Sequence, residues 1–168
     1  MEWFPGYNYI LASKSPRRQE LLHNLGLQFE VRIKETEENF PEDLNKEQIP
    51  VYLAQTKAAP FYEELNENDL LITADTIVWL EGKVLGKPEN GTDAKQMLQS
   101  LSGRERQVIS GVCLTSKNKQ KSFYAVSNVQ FKVLTDREID FYVSQFSPFD
   151  KAGAYGIQEW IGAIGITH

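Results

Sequence analysis

The sequence is short of the residues from which many ready-made sites are built. It has one cysteine, Cys113, and two histidines, His23 and His168. A lone cysteine forms no internal disulfide, which excludes a disulfide scaffold and fits a reducing compartment. Two histidines leave little material for a His-rich zinc site or a Ser-His-Asp triad. Long apolar runs are missing as well. The longest unbroken aliphatic and aromatic stretch, residues 77–80, falls far short of the ~20 residues that span a bilayer. No basic region precedes an apolar run at the N-terminus, which carries Glu2 and Pro5, so no signal peptide is read there and a cytoplasmic location is expected. Nor is there an excess of positive charge: 18 Lys and Arg stand against 23 Asp and Glu, a net charge of −5. That balance gives no broad footprint for a nucleic-acid backbone, so neither nucleic acid nor membrane is an expected partner. Any anionic ligand must be held by a few well-placed cations.

What is present suits a soluble globular protein. A chain of 168 residues that is 41% hydrophobic can bury a real core, and its length implies one domain over 1–168, at most with two lobes. Residues 9–12 read as a short buried strand. Ser13-Lys14-Ser15-Pro16 then signals a turn into a helix, with Ser15 as the cap and Pro16 in the first helical position. Leu21, Leu22 and Leu25 supply the helix with an apolar face, and Gly26 suits its left-handed end. Residues 29–33 alternate like a half-exposed strand, and the acidic stretch 35–43 reads as a loop. A helix is expected over 51–59, ended by Pro60. Residues 70–80 read as a strand buried on both faces, followed by a hairpin turn at 81–83. Thr92 is expected to cap a helix reaching Leu101. Two long strands follow, over 107–115 and 122–134, before the capping box Thr135-Asp136-Arg137-Glu138. Strands interleaved with helices point to an α/β fold with a mixed sheet.

Three features carry chemistry. Arg17 and Arg18 fall in the first turn of a helix, next to Lys14, where the helix dipole disfavours cations. An anion there reverses the sign, because free backbone N–H groups and guanidinium forks suit phosphate; a solvated basic turn is the plainer reading. Asp75 lies in the apolar run Ile72-Thr73-Ala74-Asp75-Thr76-Ile77-Val78. A buried carboxylate must be paired, hydrogen-bonded or metal-bound, whether it serves catalysis or ties down a loop. The segment Gly82-Lys83-Val84-Leu85-Gly86-Lys87-Pro88 looks like a phosphate-binding loop but fails as one. Three residues rather than four separate its glycines, and Pro88 replaces the hydroxyl residue that would hold Mg²⁺. Lys87 can still meet a phosphate as a point charge. One acid of the run Glu35, Glu37, Glu38, Glu42 and Asp43 could join Asp75 around a Mg²⁺, which needs only one or two carboxylates besides substrate oxygens. Lys57, Arg104, Arg106 and Gln158 have no distinction of their own.

Together these segments resemble the Maf family of nucleoside triphosphate pyrophosphatases. The resemblance runs through Leu11-Ala12-Ser13-Lys14-Ser15-Pro16-Arg17-Arg18, Leu53-Ala54-Gln55-Thr56-Lys57-Ala58 and Ala74-Asp75-Thr76-Ile77-Val78. It continues through Leu85-Gly86-Lys87-Pro88, Leu101-Ser102-Gly103-Arg104, Ser110-Gly111-Val112 and Asp150-Lys151-Ala152-Gly153-Ala154-Tyr155-Gly156-Ile157-Gln158. Any one piece is weak; the ordered set, spanning nearly the whole chain, is specific.

The resemblance implies an elongated mixed β-sheet with flanking helices, two lobes around a cleft, like inosine triphosphate pyrophosphatases. It implies a homodimeric cytoplasmic enzyme that uses a divalent metal, Mg²⁺ or else Mn²⁺, to split a nucleoside triphosphate into monophosphate and pyrophosphate. Asp75 matches the family's general base and, with Glu38 of the early loop, its metal-binding acids. Ser13, Arg17, Lys57 and Lys87 match phosphate-facing positions. Arg18, Thr76 and Gln158 match positions that mark the subgroup acting on dTTP and UTP. Three departures stand out: Arg106 takes the place of a usual histidine, Thr36-Glu37-Glu38 replaces a common Asp-Glu, and the usual C-terminal end is lacking after His168. The competing readings are a nucleotide-sensing regulator of cell division with little turnover and a phosphatase that releases orthophosphate.

Overall fold

The computed structural model describes residues 6–168. A single mixed sheet has the order β2-β1-β3-β5-β6, and a short β4 pairs with β3. Its strands are β1 Asn8–Leu11, β2 Phe29–Val31, β3 Asp69–Leu80, β4 Lys83–Leu85, β5 Glu105–Thr115 and β6 Gln120–Gln130. Strand β1 runs parallel to both β2 and β3, with Leu11 opposite Val31 and Ile72, whereas β4 runs antiparallel to β3. The helices are α1 Pro16–Asn24, α2 Gln48–Ala58, α3 Gly91–Leu101, α4 Asp136–Phe146 and α5 Trp160–Gly165. The mixed α/β class read from the sequence is therefore observed.

The chain forms two compact units, passing between them within β3, β5 and β6. The first holds residues 6–75 and Ser110–Ala125. Its core gathers Ile10, Ala54, Ala58, Phe61, Leu65, Leu71 and Cys113. Burial of its large side chains, Ile10, Phe61, Leu65 and Leu71, stabilises the fold by about 1.5–3 kcal/mol each. Helix α2 supplies two of these residues and gives way at Pro60 to a 3-10 turn, Ala59–Glu64, as the missing proline N–H requires. Gly111 lets β5 press directly on α2: a β-carbon there would fall 2.3 Å from the backbone carbon of Pro50.

Helix α1 begins at Pro16, as expected, and ends in a Schellman motif. Gly26 has φ +73°; its N–H donates to the carbonyl of His23 and that of Leu27 to Leu22. Its predicted apolar face is not packed: no residue of α1 is buried, and Leu21 is 61% exposed. Strand β3 alternates between buried and half-buried residues as far as Ile77, with Leu71, Thr73, Asp75 and Ile77 on its covered side; only at Ile77 and Val78 are neighbouring residues both buried.

The second unit holds Thr76–Ile109 and Val126–His168. Helices α3 and α4 bury Leu98, Leu101, Ile139 and Tyr142 together with Phe131 and Ile161. The β3–β4 turn places Glu81 and Gly82 at positive φ, as a two-residue hairpin requires. Helix α3 is capped by Asn90, whose side chain accepts from the Asp93 N–H, and not by Thr92. The capping box at Thr135 and Glu138 forms as expected. Arg106 is buried: its guanidinium lies 3.6 Å from the Phe131 ring centre, and its Nε donates to the Tyr155 hydroxyl. Stacking on an aromatic face compensates part of the cost of burying this cation.

Candidate active site

The site starts where β1 ends. The Ser13 side chain is buried, and its Oγ accepts from the Ser15 N–H at 3.2 Å. Ser15 occupies the N-cap position of α1 in extended conformation, yet its hydroxyl caps nothing, and the first turn holds no acid. Of the two arginines that follow, Arg18 turns inward. Its Nη1 donates to the Ala74 carbonyl at 2.7 Å and to Ser13 Oγ at 3.5 Å. The first turn of α1 is thereby tied to β3 one residue before Asp75. Burial lowers the Arg18 pKa, opposed by the negative charges of Asp75 and Glu38. Arg17 is half-buried and adds its own positive charge beside Arg18.

Asp75 is only 9% exposed and meets a cation from another element. Lys57, in the last turn of α2, places Nζ 2.5 Å from Asp75 Oδ1 and 2.9 Å from Glu38 Oε1. Burial pushes the Asp75 carboxyl above the usual carboxylate range, and the charges of Lys57 and Arg18 offset part of that shift. Helix α2 is held against β3 by Thr73, whose hydroxyl donates to the Ala54 carbonyl at 2.7 Å. Among the acids of the early loop, Glu38 bridges to Lys57, whereas Glu37 accepts from Asn39 and Glu35 meets Lys14 at the surface.

Ser13, Arg18, Glu38, Lys57 and Asp75 therefore come together within the first unit. The Lys57 ammonium is a stand-in cation: it lies between two carboxylates drawn from different segments. Two hard oxygen donors around one positive charge fit a small, hard divalent cation, which needs only one or two carboxylates beside other oxygen ligands. The described residues contain no group of three or more acidic, histidine or cysteine ligands, so the fit rests on this pair.

Thr76, Lys87 and Gln158 belong to the second unit. Thr76 is half-buried on β3, and Lys87 is exposed after β4. Gln158 is exposed in the segment preceding α5. The Gly153 N–H donates to the Gly86 carbonyl at 2.9 Å, which joins the loop carrying Lys87 to the segment that leads to Gln158. The sequence gives no sign of Thr73 as a support; a hydroxyl in a strand shows its partner only once the elements have packed.

A sequence profile of the family described as Maf-like protein matches residues 8–168. The chain belongs to the Maf family. Members similar to this chain include the dTTP/UTP pyrophosphatase of Phocaeicola vulgatus, 55% identical over 161 residues that cover 95% of this chain and 83% of that protein. The dTTP/UTP pyrophosphatase of Flavobacterium psychrophilum is 51% identical over 165 residues, covering 98% of this chain and 85% of that one. The Maf fold seen here is also similar to that of the Staphylococcus aureus Ham1 protein. That likeness has a TM-score of 0.51 at 14% identity, covers 74% of this chain and 71% of that one, and speaks for the fold alone.

Proposed function

We propose that this chain is a nucleoside triphosphate pyrophosphatase that hydrolyses dTTP and UTP to the nucleoside monophosphate and pyrophosphate. The observation that carries the reading is Lys57 held between Asp75 and Glu38, beside Arg18 of α1. Membership of the Maf family, with relatives of about half-identical sequence named dTTP/UTP pyrophosphatase, supports the substrate class.

In this reading Asp75 orients a water and takes its proton during attack on the α-phosphorus. Arg17, Lys57 and Lys87 meet the charge of the phosphates, and Ser13 and backbone N–H groups of α1 add donors. Asp75 and Glu38 would hold the divalent cation, Mg²⁺ or else Mn²⁺, with Lys57 released toward the phosphates. When bound, that cation supplies charge stabilisation at the phosphate oxygens. Arg18, Thr76 and Gln158 select the pyrimidine nucleotide, with Gln158 bonding the edge of the base. The whole chain serves as one catalytic domain, acting in the cytoplasm on free nucleotides and not on nucleic acid or membrane. A homodimer is part of the proposal: β6 lies at the end of the sheet order and leaves Phe123, Tyr124 and Val126 exposed, which a second copy would cover.

The test is product analysis in ¹⁸O-labelled water with dTTP, UTP, ATP and GTP, with and without Mg²⁺. Metal-dependent release of pyrophosphate with label in the monophosphate is expected, fastest for dTTP and UTP. Release of orthophosphate, or binding without products, contradicts the reading.

A further inference from the structure

The turn that carries Gln158 is held at both ends by groups that the reaction itself does not use. Tyr142, fully buried on α4, accepts the Gly156 N–H at 3.0 Å and donates its own hydroxyl hydrogen to the Glu159 carboxylate. Glu159 also meets Lys151 at 3.1 Å, and its N–H donates back to the Gly156 carbonyl. Glu159 stands at the N-cap of α5, where a carboxylate could cap its own helix; it makes no such bond and faces Tyr142 and Lys151 instead. The closure is tight. A β-carbon on Gly156 would fall 2.8 Å from Glu159 Cδ, and one on Gly162 would fall 1.9 Å from the Ile157 carbonyl oxygen. Of residues 156–159, only Ile157 and Gln158 are exposed.

We propose that Tyr142 and Glu159 are positioning residues for base selection, fixing the turn over 156–159 so that Gln158 presents its amide in one orientation. The inference rests on the reading above that Gln158 bonds the base. Without the Tyr142 hydroxyl, the Gly156 N–H and the Glu159 carboxylate lose their shared partner, and the turn can rearrange. The effect falls on discrimination because a polar site rejects the wrong base only when its donors and acceptors are held in place.

The test is the ratio of kcat/KM for dTTP to that for GTP in the full chain. It is measured for Tyr142→Phe, Glu159→Ala, Glu159→Gln, Gln158→Ala and the double variant Tyr142→Phe/Gln158→Ala, with Tm recorded for each. Tyr142→Phe and Glu159→Ala are expected to lower the ratio about tenfold, mainly through KM for dTTP. Glu159→Gln keeps an oxygen that accepts from Tyr142 and retains most of the ratio. The double variant discriminates no worse than Gln158→Ala alone, because the positioning acts through Gln158. Should Tyr142→Phe not fold, the pair Glu159→Ala and Glu159→Gln carries the same comparison. A lowered Tm with an unchanged ratio, or losses in the ratio that add in the double variant, overturns the positioning role. An unchanged ratio in Gln158→Ala overturns the base reading instead, and with it the inference.

Discussion

The Lys57 ammonium lies 2.5 Å from the Asp75 carboxylate and 2.9 Å from Glu38, joining the end of α2, the middle of β3 and the acidic early loop through one cation. The pairing explains how a carboxylate survives on the covered side of a strand. It also places two carboxylates and one ammonium within one network, where the removal of any member alters the others.

Lys57→Ala tests that coupling. Lys57 opposes the upward push that burial exerts on the Asp75 carboxyl. Its removal is expected to raise the Asp75 pKa further, as read by NMR titration of the side-chain carboxyl in the metal-free protein. Turnover of dTTP should fall about a hundredfold, as for loss of one aimed donor in a phosphate site. A pKa that moves down would contradict the pairing.

Gly111→Ala tests the contact between β5 and α2. The added methyl would meet the backbone of Pro50 and Val51 at 2.3–2.4 Å, where no flexible side chain can give way. A stability loss of at least ~2 kcal/mol by urea unfolding is expected. Turnover should fall with it, since α2 carries Lys57. A neutral result would mean that the strand and helix lie further apart.

Glu138→Gln tests the cap of α4. Lys132, the Thr135 N–H and the Thr135 hydroxyl hold the Glu138 carboxyl down at about 2 from its ordinary 4.5. A depressed carboxyl contributes stability that is present above pH 4.5 and lost as the pH falls toward 2. The glutamine variant should therefore be less stable at neutral pH, by about 1 kcal/mol for a weakened capping box. The gap to the parent should close in acid. A gap that widens below pH 4.5 would contradict the assignment.

Much of this arrangement is legible in the residues themselves. A proline after Ser15, a glycine after Leu25 and a Thr-x-x-Glu pattern specify helix ends by local chemistry; α1 starts and stops, and α4 starts, accordingly. Asp75 stands out because its neighbours are apolar. What stays hidden depends on partners distant in sequence. Leu21 and Leu25 have helical spacing, but spacing does not say whether anything covers them. Asn90 and Thr92 are both competent caps, and the bond from the Asp93 N–H decides for Asn90. Glu37 and Glu38 are chemically alike until Lys57 reaches one of them, and Arg17 and Arg18 until one finds the Ala74 carbonyl. Tyr142 and Glu159 meet only after α4 and the turn before α5 have packed.

The most direct measurement compares the parent with Asp75→Asn for pyrophosphate release from dTTP, dTTP affinity and metal-free stability. Loss of a general base predicts a fall in turnover of at least ~10²-fold, up to about 10⁴-fold, with dTTP binding retained. The raised Asp75 pKa means that its stability contribution is largest below the unfolded value and falls as pH rises through the folded one. The stability gap between the metal-free parent and the asparagine variant should therefore narrow as pH rises, its size set by the Lys57 charge left without this partner. Turnover equal to that of the parent, in a folded variant that binds dTTP, would remove Asp75 from the chemistry and contradict the account.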